Sequence, residues 1–132
     1  MTNLSCKLAT GITDFSQAVN ALHSATSYCV GEANPPEASG VYAFLIDGEV
    51  MYVGEAKGSG GLRDRIIRKH LTGDEGHALQ RYFKDFFPDR TLRREYIKRA
   101  VQVKWVVVEN PEAVSVVERM AIWLFNPPLN RT

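Results

Sequence analysis

The sequence predicts a mixed α/β (α+β) domain: a small, mainly antiparallel sheet flanked by helices. Three observations predict it. The stretch "GVYAFLIDGEVMYVG" has two β-rich runs around Asp47-Gly48, a two-residue hairpin signal. The run "VQVKWVVV" over 101–108 begins with alternation and turns solidly apolar, as a central strand does. Between and around these lie segments with helical spacing, which a small sheet needs to cover its faces.

The elements follow in order. Residues 13–30 read as a helix capped by Thr13 or Asp14, with Phe15, Ala18, Val19, Leu22 and Cys29 on one face. "GEANPPEASG" over 31–40 reads as a linker. Residues 1–39 are therefore expected to form an N-terminal helical extension, and 40–132 the body. Strands are expected at Val41–Asp47 and Val50–Val53. The loop "KGSGG" leads into a helix over 62–71, with Leu62, Ile66, Ile67 and Leu71 as its apolar sector. Further helices are expected over 77–87 and 91–99. Asn110-Pro111 is an N-cap followed by proline in the first turn, opening a helix to about Phe125. "NPPLN" ends it, because proline cannot continue a helix.

Composition narrows the classes of function. In 132 residues no apolar run reaches the length of a membrane span, and the N-terminus has no basic start followed by an apolar block. Neither a membrane location nor a secretory signal is expected. Two cysteines without metal-ligand spacing point to reduced thiols and a cytoplasmic setting. Net charge is +1, but residues 62–104 hold 12 Lys/Arg against 6 Asp/Glu. That segment is either a polyanion-facing surface or a solvated helical one.

Some residues sit oddly for a plain core. Glu118 shares a helix face with Val114, Ala121, Ile122 and Phe125, where a carboxylate is costly unless a cation meets it. It is either a buried ion pair or a metal ligand or acid/base group. Arg65 and Lys69, at i and i+4 on the edge of the 62–71 helix, could grip a phosphate. His70 projects between apolar positions. Tyr42 and Tyr52 read as sheet residues, and Gly54 leaves room for a close approach.

The ordered set resembles the GIY-YIG nuclease domain: Gly40-Val41-Tyr42, nine residues, Tyr52-Val53-Gly54, an arginine helix "LRDR", Glu118, and Asn130 in "NPPLN". The resemblance runs from Gly40 to Asn130. It implies a three-stranded antiparallel sheet among helices, and metal-dependent cleavage of nucleic-acid phosphodiesters, most often in DNA. It also implies one divalent cation, Mg²⁺ or Mn²⁺, on Glu118. Tyr42 would be the general base or hold the attacking water, and Tyr52 would support that water or the phosphate. Arg65 would contact the phosphate, and Asn130 would buttress the site. Two departures stand out. The loop "EAKGSGG" is longer than the family's usual spacing. The position that carries His or Tyr in many members is Lys69 here, with His70 one later, so Lys69, His70 or another residue such as His77 would serve proton transfer or phosphate contact.

Because residues 1–39 are short and not basic, target selection is expected to come from the domain itself, from a homodimer or from a partner protein. The competing reading is a non-catalytic nucleic-acid-binding module that retains the fold, using the basic segment with Tyr82, Phe83, Phe86 and Phe87. The hairpin also sets a geometric requirement. Regular pairing about a two-residue turn would oppose Tyr42 to Val53 and send Tyr42 and Tyr52 to opposite faces. A shared role needs a bulge or a longer turn near Asp47-Gly48.

Overall fold

A computed structural model describes residues 3–71 and 77–130, without the side chains of His70 and Leu71. Its sheet has four strands, β1 (Tyr28–Cys29), β2 (Gly40–Ile46), β3 (Glu49–Ala56) and β4 (Val101–Val107), in the order β1-β4-β2-β3. All pairings are antiparallel. The class is the expected one, with one strand more than predicted. The extra strand, β1, is two residues long and pairs only with β4, so it has no periodicity of its own to read.

Strand β2 is central, and both of its faces are buried. Tyr42 and Phe44 point to one side, while Val41 and Ala43 point to the other. That is why "GVYAFL" is solidly apolar rather than alternating. The Tyr42 face is covered by a short turn α2 (Gly61–Arg63), a π-helix (Asp64–Leu71), α3 (Ala78–Phe83) and α4 (Arg90–Ala100). The Val41 face is covered by α1 (Leu4–Ser24) and α5 (Pro111–Phe125).

Helix α5 has the predicted bounds. Asn110 caps it by accepting from the Glu112 N–H at 3.0 Å, and Asn126 ends it in the left-handed conformation. Helix α1 differs: it starts at Leu4, where the Asn3 side chain accepts from the Ser5 N–H at 2.7 Å, and it stops before Cys29. Cys29 lies instead in β1, opposite Gln102. Cys6 and Cys29 are both free. The expected 62–71 helix is a single α turn continued by the π-helix, and the expected 77–87 helix is only six residues long. Of its aromatics, Phe83 is buried, Tyr82 and Phe87 pack against the core, and Phe86 is exposed.

Two cations of the basic segment turn inward. Arg93 is fully buried on α4; its Nε donates to Gln80 Oε1 at 2.6 Å and its guanidinium to the Phe87 carbonyl at 3.0 Å. Buried Lys104 donates to the His23 carbonyl at 2.7 Å. That carbonyl belongs to the last turn of α1, where intrahelical donors run out and the dipole favours a cation. Burial pulls the Lys104 pKa down. Lys104→Ala is expected to cost about 1–3 kcal/mol in urea unfolding, because it orphans this carbonyl and loosens the docked end of α1. Among the described residues no helix is long and apolar enough to cross a membrane.

Candidate active site

The hairpin meets its geometric requirement with a bulge. Tyr42 opposes Gly54 and Phe44 opposes Tyr52, but Leu45 opposes Val50, so Met51 is the extra residue. The turn keeps two residues, Asp47 and Gly48, both at positive φ as a type I′ turn needs. The one-residue offset turns Tyr52 to the face that carries Tyr42. Their ring centroids lie 6.4 Å apart, with Phe44 against both.

The glycine of the second tripeptide seats the tyrosine of the first. A Cβ on Gly54 would lie 2.5 Å from Tyr42 Cζ and closer still to its hydroxyl. Gly40 has a different cause, since a Cβ there would run into the Val106 carbonyl of β4.

Arg65 comes from the π-helix. Leu62 and Ile66 are buried in the same core as Tyr42, which draws the segment down onto the sheet. The partly exposed Arg65 hydrogen-bonds both tyrosine hydroxyls. Burial pushes the Tyr42 phenol far above its ordinary range; Tyr52 adds to this, and Arg65 offsets only part of it. Burial raises Tyr52 as well, against Arg65. Both phenols therefore keep their protons at neutral pH. An exposed cation that sequence reasoning missed, Arg81 of α3, also acts on Tyr52.

Glu118 stands on α5, on the other side of the sheet. Val114, Val117 and Ala121 fix the helix against the Val41 face. Because β3 is an edge strand, groups from both layers can address its outer rim. The field of the Glu118 carboxylate is felt by both tyrosines, and that of Arg65 by Glu118. Burial raises the Glu118 pKa, and Glu55 of β3 raises it further, against Arg119, Lys57 and Arg65.

Glu55 is the second residue that the sequence did not single out. Its Oε2 is buried without a hydrogen-bond partner, while Oε1 lies 3.6 Å from Lys57 Nζ. Lys57 also donates to Ser115 Oγ at 2.6 Å, one turn before Glu118 on α5. Glu55, Lys57, Gly61, Asp64 and Arg65 line a polar pocket of about 320 Å³ beside this rim. The only signal in the sequence was that Glu55 directly follows Tyr52-Val53-Gly54.

Asn130 closes the arrangement. Its Oδ1 accepts from the Val53 N–H and its Nδ2 donates to the Val53 carbonyl, each at 2.8 Å. The side chain thus mimics a neighbouring strand on the open edge of β3, between Tyr52 and Gly54. Asn130→Asp keeps the acceptor, loses the donor and sets a carboxylate against the Val53 carbonyl. It is expected to destabilise by about 1–3 kcal/mol. Hydrogen exchange of the Val53 amide should speed up more than that of Ala43, which lies inside the sheet.

Of the residues predicted from sequence, Tyr42, Tyr52 and Arg65 converge, Glu118 acts on them electrostatically, and Asn130 braces their strand. Lys69 is exposed. The side chain of His70 lies outside the described residues. A divalent cation fits the donor set. An orphaned Glu55 oxygen and a carboxylate raised in pKa by burial and by its acidic neighbour are hard oxygen donors short of positive charge. Among the described residues no group of three or more His, Cys, Asp or Glu that could hold a metal occurs. No known family model matches this sequence, and no curated protein matches it.

Proposed function

We propose that this chain is a divalent-metal-dependent endonuclease of the GIY-YIG type, hydrolysing phosphodiester bonds of nucleic acid, DNA foremost. One observation carries the reading. A single bulge at Met51 sets Tyr42 and Tyr52 on one face with Arg65 on both hydroxyls, at the rim that Glu118 addresses. A purely structural pair of tyrosines needs neither the arginine nor a carboxylate brought from the opposite layer.

Glu118 would hold a Mg²⁺ or Mn²⁺, which when bound would supply charge to polarise the phosphate and stabilise the leaving oxygen. Arg65 adds a fixed positive charge and N–H donors for the phosphate oxygens. Both tyrosines are neutral in the resting chain; the partly exposed Tyr52 hydroxyl would hold and orient the attacking water, and the buried Tyr42 hydroxyl would act on the site through Arg65. The proton-accepting alternative for Tyr42 requires a phenolate, which burial opposes and cations favour. Asn130 keeps the backbone between Tyr52 and Gly54 in register. The reduced cysteines accord with a cytoplasmic setting.

The test uses end-labelled duplex, branched and single-stranded DNA, and RNA, with purified protein and Mg²⁺. Cleavage of at least one of these is expected. Salt-sensitive binding of all four with no product would instead establish the non-catalytic binding module.

A further inference from the structure

Helix α1 carries one apolar stripe along its whole length, and only half of it is covered. Leu4, Leu8, Gly11, Phe15, Ala18 and Leu22 recur at alternating steps of four and three residues, the spacing of a packed helix seam. At the C-terminal end the stripe is core: Val19 and Leu22 are buried against the body. At the N-terminal end it faces outward, with Leu4 82%, Leu8 64% and Ile12 53% exposed. With Gly11 and Phe15 these residues line an apolar groove of about 380 Å³.

The charges indicate what covers it. Between Leu4 and Leu22 the helix bears two formal charges, Lys7 and Asp14, both exposed. They lie seven residues apart, on the same flank of the stripe. In an antiparallel pair of identical helices, equivalent flanking positions face each other. Lys7 of each copy then meets Asp14 of the other, twice, by the two-fold axis. In that alignment Leu8 of each helix falls level between Ile12 and Phe15 of the other, and Gly11 lets the backbones approach. A parallel pair would set Lys7 against Ile12 and Asp14 against Val19, with no charge matched.

We propose that the N-terminal half of α1 is a homodimer interface, in which two copies of this chain pair antiparallel through Leu4–Phe15 with reciprocal Lys7–Asp14 contacts. The proposal stands independently of the nuclease reading.

Sedimentation velocity on the full chain tests it. Wild type is expected to approach twice the 14.8 kDa of one chain as concentration rises to the order of 100 μM. Leu8→Glu should remain monomeric with an unchanged circular dichroism spectrum, since residue 8 is not part of the folded core. Lys7→Asp and Asp14→Lys alone should each weaken the dimer by about tenfold, because like charges then face across the axis. An equimolar mixture of these two variants should regain wild-type association, because one carries two acids and the other two bases. A wild type that stays monomeric throughout, a dimer unaffected by Leu8→Glu, or a mixture no tighter than its components would each overturn the proposal.

Discussion

Glu118→Gln is expected to make the protein more stable at neutral pH while it loses metal-dependent cleavage. Burial first, and Glu55 second, raise the pKa of this carboxyl in the folded chain. Between the unfolded and the folded pKa the native state therefore binds more protons than the unfolded one, and stability falls as pH rises through that window. Above it the folded chain carries the full cost of an ionised Glu118. The amide removes that cost. Glu118 is partly exposed and screened, so the gain is expected to stay below about 1 kcal/mol, and to vanish below the unfolded carboxylate pKa. Urea denaturation at pH 7.5 and at pH 3.5 reads the difference. Activity should move the other way, by at least about a hundredfold, because the amide is a far weaker ligand for a hard cation. Opposite signs for stability and activity are the mark of a carboxylate retained for chemistry.

The second large effect is expected at Gly54. The residue lies in ordinary strand backbone, so alanine there meets no conformational objection of its own. The objection is steric: the new methyl would occupy the place of the Tyr42 hydroxyl and ring edge. Tyr42 is fully buried, with the rings of Phe44 and Tyr52 against it. Gly54→Ala is expected to cost about 1–3 kcal/mol in thermal or urea unfolding. It should also lower cleavage about a hundredfold by shifting Tyr42 relative to Arg65, since displacements near 1 Å have effects of this size. Glu118→Gln leaves packing intact, whereas Gly54→Ala disturbs it. A tyrosine ring-current change in the NMR spectrum of Gly54→Ala, absent from Glu118→Gln, separates the two.

The parts of this molecule that were legible in the sequence are those with local causes. Asn110-Pro111 opens α5 by capping and by proline geometry, and "NPPLN" closes it, so its bounds could be read directly. Asp47-Gly48 specifies the turn for the same kind of reason. The bulge at Met51 has no local mark. It could be inferred only by requiring two tyrosines to serve one site. What escaped reading depends on tertiary partners. Strand β1 exists because β4 offers it an edge. The π-helix exists where Leu62 and Ile66 must reach the core while Arg65 reaches the tyrosines. The start of α1 is the exception, since its signals are local: Asn3 caps it and the apolar spacing begins at Leu4. Glu55 and Lys57 looked like the beginning of a loop. Only their placement against Ser115 and Glu118 gives them meaning.

The most direct measurement is the conversion of supercoiled plasmid to nicked or linear form by purified wild type and Glu118→Gln, each in Mg²⁺ and in EDTA. Product is predicted from wild type in Mg²⁺ alone, with none from the variant and none in EDTA. Equal cleavage by wild type and Glu118→Gln would contradict the assignment of Glu118 as the residue that holds the cation.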